Sequence, residues 1–97
     1  MKPSQLLQQH REEVLRLSIQ FGIRNLRIFG SVARGEDVEG SDLDLLVAFP
    51  ESASLFDALK FQERLEQLLG LHVEVATEAG LHPLIRERVL REACVLQ

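Results

Sequence analysis

The sequence predicts an α/β (α+β) fold, a small mixed sheet of three to four strands packed by helices. Three observations predict it. Apolar and polar residues alternate in short runs around Leu26-Ile28, Leu43 to Phe49 and Val73 to Val75, the period of half-buried strands. The stretches before, between and after these runs repeat apolar residues at helical spacing. Glycine and proline sit at the joints between runs, where they punctuate the chain. The order is helix, strand, turn, strand, helix, strand, helix, which requires helices laid against one sheet. At 97 residues the chain is expected to form one domain over 1–97.

Each element has its own signal. Ser4 after Pro3 reads as an N-cap, and Leu6, Leu7, Val14, Leu17 and Phe21 continue one amphipathic helix that Gly22 ends. Leu26 and Ile28 alternate with Arg27 and Phe29 in a strand running into Gly30. Ser31 to Arg34 make one helical turn closed by Gly35, and Glu36 to Gly40 a polar, solvated loop. Leu43 to Phe49 is the strongest strand signal, stopped by Pro50. Ser54 caps a helix with the stripe Ala58, Phe61, Leu65, Leu68 and Leu69, and Gly70 closes it. Val73 and Val75 alternate with His72, Glu74 and Ala76 in a third strand. Pro83 opens a last helix that buries Leu84, Ile85 and Val89, followed by an extended tail at Ala93 to Leu96.

Composition narrows the function. Apolar residues make up 45% of the chain, enough for a core, although a domain of this size buries only about 60–65% of its unfolded surface. The net charge of −4 and pI near 5.3 argue against direct nucleic-acid binding, which favours a basic field. Cys94 is the only cysteine, so no internal disulfide forms; a reducing compartment is implied, with Cys94 as a small buried apolar residue. No apolar run approaches the ~20 residues that span a bilayer, and the N-terminus lacks a signal-peptide core. The expectation is a cytoplasmic protein without membrane association. Neither zinc-ligand spacing nor a Ser/His/Asp arrangement is present.

The chemistry concentrates in three places. Gly30-Ser31 follows a strand and opens a turn, where exposed backbone N–H groups favour a phosphate. Asp42 and Asp44 are two apart in a strand, so both point to one face with Cα atoms about 6.5–7 Å apart. That pair suits hard cations such as Mg²⁺, which take carboxylate and phosphate oxygens; a solvated strand end is the plain alternative. Glu74, between two valines, is either a third acid of this site or the wet face of an edge strand. His72 shares its face and reads as a surface histidine.

Gly30-Ser31, ten intervening residues, then Asp42-Leu43-Asp44 resembles the signature of the polymerase-beta-like nucleotidyltransferases. Gly30 to Gly35 and Ser41 to Leu45 resemble in particular the minimal nucleotidyltransferase (MNT) domains, many of them antitoxins paired with HEPN-domain toxins. The resemblance covers nearly the whole chain and implies the nucleotidyltransferase fold. It implies that Gly30, Ser31, Arg34 and Ser41 bind the nucleotide triphosphate, with Arg34 alternatively a structural ion pair. Asp42 and Asp44 would bind two Mg²⁺ ions, with Glu74 as third carboxylate, metal-binding and catalytic, where the family usually carries aspartate. The implied activity is transfer of AMP from ATP to a hydroxyl, a tyrosine of the cognate HEPN toxin. The alternative is a weak or idle antitoxin that neutralises a HEPN ribonuclease by binding. A small-molecule acceptor such as an aminoglycoside fits poorly, because no second domain is visible to hold it. A homodimer completing the cleft is the alternative to a hetero-complex.

Overall fold

Pro3 presets the first turn of α1 (Pro3–Gln9), and a break at His10 separates it from α2 (Arg11–Gln20). The remaining elements are β1 (Arg24–Phe29), β2 (Leu43–Ala48), α3 (Leu55–Leu69), β3 (Val73–Ala76), α4 (Pro83–Glu92) and β4 (Cys94–Val95). This computed structural model describes residues 1–96. The sheet order is β3-β2-β1-β4. β1 runs antiparallel to β2 and β4, whereas β2 and β3 are parallel and joined through α3. The four-stranded mixed sheet packed by helices is the architecture the sequence predicts.

Two cores lie on opposite faces of the sheet, and β2 sorts between them by strict alternation. Leu43, Leu45 and Val47 face the larger core with Val14, Leu17, Leu26, Phe61, Leu65, Leu69 and Val73. Leu46 faces the smaller one with Leu81 and Val89 under α4. Period two then places Asp44, and Asp42 before it, on the α4 side of the sheet. Phe61 is fully buried and tilts against Phe21 and Phe49. α3 starts at Ser54, whose hydroxyl accepts from the Asp57 N–H while Asp57 accepts from the Ser54 N–H. It ends at Gly70, whose left-handed φ of 69° only glycine adopts at little cost.

Five expectations need correction. The first helix is two helices, because the backbone at His10 (φ −108°, ψ 19°) leaves helical geometry. This bend lets Leu7 of α1 join Val14 and Leu17 in one core. Ser4 is not the cap: Lys2 is, and the Ser4 N–H instead donates to Asp37 Oδ2 at 2.9 Å. Asp37 is therefore buried, at 6% exposure, within a loop expected to be solvated. On α4 only Val89 is buried; Leu84 is 87% exposed, because the smaller core admits a single row of the helix. Cys94 is exposed, on the edge strand β4 of the sheet.

The Ser4 N–H holds the Asp37 carboxyl below the usual carboxylate range, against the opposing effect of burial. A carboxyl with a depressed folded value stabilises the fold above its unfolded value and loses that contribution as pH falls through the folded one. Replacing Asp37 with Ala should cost about 1 kcal/mol, the scale of a lost helix cap, and should flatten the acid limb of stability measured by urea titration. Asp37→Asn, which keeps an acceptor, should cost less.

Candidate active site

β1 delivers its last residue, Phe29, into a left-handed Gly30 (φ 77°). A helical turn follows, closed by the Arg34 N–H to the Gly30 carbonyl and the Glu36 N–H to the Ser31 carbonyl. Glycine is required at position 30 for a second reason. An ideal Cβ there would collide with the Asp44 carboxylate, whose Cγ would lie only 3.1 Å away. The register Phe29↔Asp44 between β1 and β2 brings these two together.

A cleft of about 370 Å³ opens at this junction. It is lined by Phe29, Gly30, Ser31, Arg34, Ser41, Asp42 and Asp44 and, from α4, by Ile85, Arg88, Val89 and Glu92. A larger hollow of about 590 Å³ along α1 and α2 is lined by Gln8, Gln9, Arg11, Glu12, Glu13 and Arg16. Those are ordinary solvated helix side chains, and no motif residue is among them.

Six of the seven expected site residues therefore meet in one cleft; Glu74 does not line it. Glu74 pairs with Asp44 in the parallel register of β2 and β3, which puts both on the same face of the sheet. Its carboxylate, however, is engaged by His72 Nε2 at 3.2 Å, while His72 Nδ1 lies 2.9 Å from Glu66. The hydrogen bond to Glu74 raises the His72 pKa, partly offset by desolvation, with Asp42 and Glu66 adding to the rise. His72 is thus exposed, as expected, yet bridges two acids. Ser41 accepts from the Val38 N–H at 2.9 Å, so part of its hydrogen-bonding capacity shapes the turn before Asp42.

Two α4 residues escaped the sequence reading. Glu92 Oε2 accepts from the Gly30 N–H at 2.6 Å, and its carboxylate meets Arg34 Nη1 at 3.1 and 3.3 Å. Arg88 lies one turn earlier in the same wall. Ile85, Arg88, Val89 and Glu92 fall at i, i+3, i+4 and i+7, a helical face that could have been read as a wall.

The electrostatics suit a cation. Burial pushes the Asp44 carboxyl up, and the Glu74 and Asp42 charges push it further; Arg34 pulls the other way and Glu92 adds to the rise. Among the described residues no three His, Cys, Asp or Glu side chains gather tightly enough to cage an ion. The donor set is instead a pair of carboxylates beside a phosphate-compatible turn, which fits Mg²⁺ held by one or two acids plus substrate oxygens.

A mixed sheet that sets an Asp-x-Asp strand against a Gly-Ser turn defines a class of nucleotidyl-transferring enzymes. The comparisons agree. The family model described as "Nucleotidyltransferase domain" matches residues 7–96. Protein adenylyltransferase MntA of Thermococcus cleftensis is 42% identical over 87 residues, covering 90% of this chain and 85% of that protein. A solved structure described as a minimal nucleotidyltransferase is 50% identical, with a TM-score of 0.84 over 96% of this chain and 95% of that one. A toxin-antitoxin structure with AMP-PNP shares the fold at a TM-score of 0.75 and 16% identity, over 89% of this chain and 71% of that one. The chain belongs to the nucleotidyltransferase domain family and is a nucleotidyltransferase.

Two outcomes follow from this geometry. Asp44→Asn should raise the melting temperature in buffer free of divalent cations, because it removes one of several like charges. The folded state binds the Asp44 proton more tightly than the unfolded chain, so the stability gap between variant and wild type should close as pH falls through the raised value. Gly30→Ala should lower the melting temperature. The left-handed backbone alone costs about 1 kcal/mol, or roughly 4–8 °C for a domain of this size, and the collision with Asp44 adds to it. Calorimetric scans of both variants check the two signs.

Proposed function

We propose that this enzyme transfers AMP from ATP, with Mg²⁺, to a tyrosine hydroxyl of a HEPN-domain toxin in the cytoplasm, acting as its antitoxin. The observation that carries the proposal is the convergence of Gly30, Ser31 and Arg34 with Asp42 and Asp44 on one cleft. Similarity to a protein adenylyltransferase supports the reaction, and a fold shared with a toxin-antitoxin structure supports the partner.

In this reading the Gly30 N–H, Ser31, Arg34 and Ser41 hold the triphosphate. Asp42 and Asp44 would hold two Mg²⁺ ions, which would supply positive charge beside the attacking hydroxyl oxygen and the departing pyrophosphate. The acceptor hydroxyl comes from outside: this sequence contains no tyrosine, and the cleft walls come from β1, β2, the Gly30 turn and α4. Its proton would pass to Glu74, the third carboxylate, once His72 releases it. Alignment of the acceptor against the phosphate is then the partner's contribution, and such positioning supplies up to ~7–11 kcal/mol of a barrier. The net charge of −4 would speed encounter with a basic partner.

One observation favours a second reading, a weak or idle antitoxin that works by contact. Glu74 is glutamate and is committed to His72.

Incubation with labelled ATP, Mg²⁺ and a HEPN protein encoded beside this chain should add one or more AMP masses to that partner, and Asp44→Asn should abolish the gain. Co-elution of the pair without any mass change selects the contact-only reading. Separate elution with no mass change, measured by light scattering at micromolar concentration, leaves a nucleotidyltransferase with another acceptor. A homodimeric mass would assign the open wall of the cleft to a second copy.

A further inference from the structure

The donors that would hold a triphosphate are not idle. Glu92, 62 residues away in sequence, accepts from the Gly30 N–H at 2.6 Å, the shorter of its contacts. The same carboxylate lies against Arg34 Nη1. A carboxylate that takes one backbone N–H and one guanidinium presents two oxygens to the donors a phosphate would use. Its side chain is 16% exposed while that of Arg34 is 43% exposed, so the Gly30 end of the contact is the sheltered one and the Arg34 end is open to solvent and to an incoming anion.

From this we infer that Glu92 is an internal phosphate mimic that occupies the triphosphate subsite of the free enzyme, and that nucleotide binds by displacing it. The inference rests on the nucleotide-binding reading of Gly30 and Arg34.

Three further observations support an exchange rather than a fixed brace. Glu92 is the last residue of α4 and sits at the cleft wall, so rotation of its side chain alone vacates the subsite. Arg88 lies one turn earlier on the same wall and already attracts the Glu92 charge. Residues four apart on a helix are neighbours, so Arg88 can receive Glu92 when a phosphate takes Arg34. Glu92 also adds negative charge beside Asp44; a triphosphate entering with its cations replaces that charge with a neutralised one. The displaced state costs the free enzyme two charge-assisted hydrogen bonds, and the apparent affinity for nucleotide falls by the fraction of molecules in which the subsite is vacant.

The test is calorimetric titration of a non-hydrolysable ATP analogue with Mg²⁺, and of inorganic tripolyphosphate, into wild type, Glu92→Gln and Glu92→Ala. Both variants should bind both ligands more tightly, Glu92→Ala by roughly three- to tenfold. Glu92→Gln, isosteric but uncharged, should fall between them and guards against a variant that fails to fold. Equal affinity in all three proteins overturns the inference. Weaker binding by the variants, with a lowered melting temperature, also overturns it and makes Glu92 a brace for the Gly30 turn. Nucleotide binding by wild type in either case leaves the functional reading standing. If no protein in the series binds either ligand, the phosphate subsite itself is refuted, and both readings fall together.

Discussion

The approach of the Asp44 carboxylate to the Gly30 backbone is the constraint on which this structure turns. It requires a residue without Cβ at position 30, because a side-chain carbon would occupy the space the carboxylate uses. It requires a left-handed backbone there, which sends the chain out of β1 and into the turn that carries Ser31 and Arg34. It also requires the β1–β2 register that sets Phe29 opposite Asp44. A one-residue slip would carry Asp44 into the larger core and Leu43 into the cleft. Sheet pairing, core packing and site geometry are therefore one condition, enforced by alternation along β2.

Charge is distributed with the same economy. Asp42, Asp44, Glu74 and Glu92 crowd one end of the sheet, and basic side chains from three separate segments stand among them. Arg34 comes from the turn, His72 from the loop just before β3 and Arg88 from α4. Each also has a carboxylate close by: Arg34 is flanked by Glu36 and Glu92, His72 by Glu66 and Glu74. Neither Asp42 nor Asp44 forms an ion pair among the described residues, and Asp44 bears the repulsion of its neighbours. The centre is balanced everywhere except where metal chemistry would act.

What the sequence made legible follows from the range of the interactions. Alternation reports which face a residue takes, so Leu43, Leu45 and Val47 were readable as core and Asp42 and Asp44 as their opposites. Local capping was readable too: Ser54, Gly70 and Pro83 act within one turn of their own position. Interactions between distant segments were not. Asp37 is buried by a partner 33 residues away, and Glu92 reaches Gly30 across 62; no periodicity carries that information. Apolar character alone predicts Leu84 as buried, whereas the smaller core has room for one row of α4, which Val89 fills. Glu74 was placed on the right face, but its engagement by His72 depends on rotamers that strand alternation does not specify.

The stretch between Ser31 and Asp42 looks like a connector, the kind of segment in which homologous proteins ordinarily gain and lose residues. Here it is tied at intervals. The Gly30 carbonyl holds Arg34, Asp37 holds the first turn of α1, and the Val38 N–H holds Ser41. An inserted or deleted residue would have to break one of these ties or shift the Asp-x-Asp strand against the Gly-Ser turn. The number of residues in this connector is thus a mechanical dimension of the molecule, like the length of a strut, and drift in it is opposed by the N-terminal helix as much as by the catalytic centre.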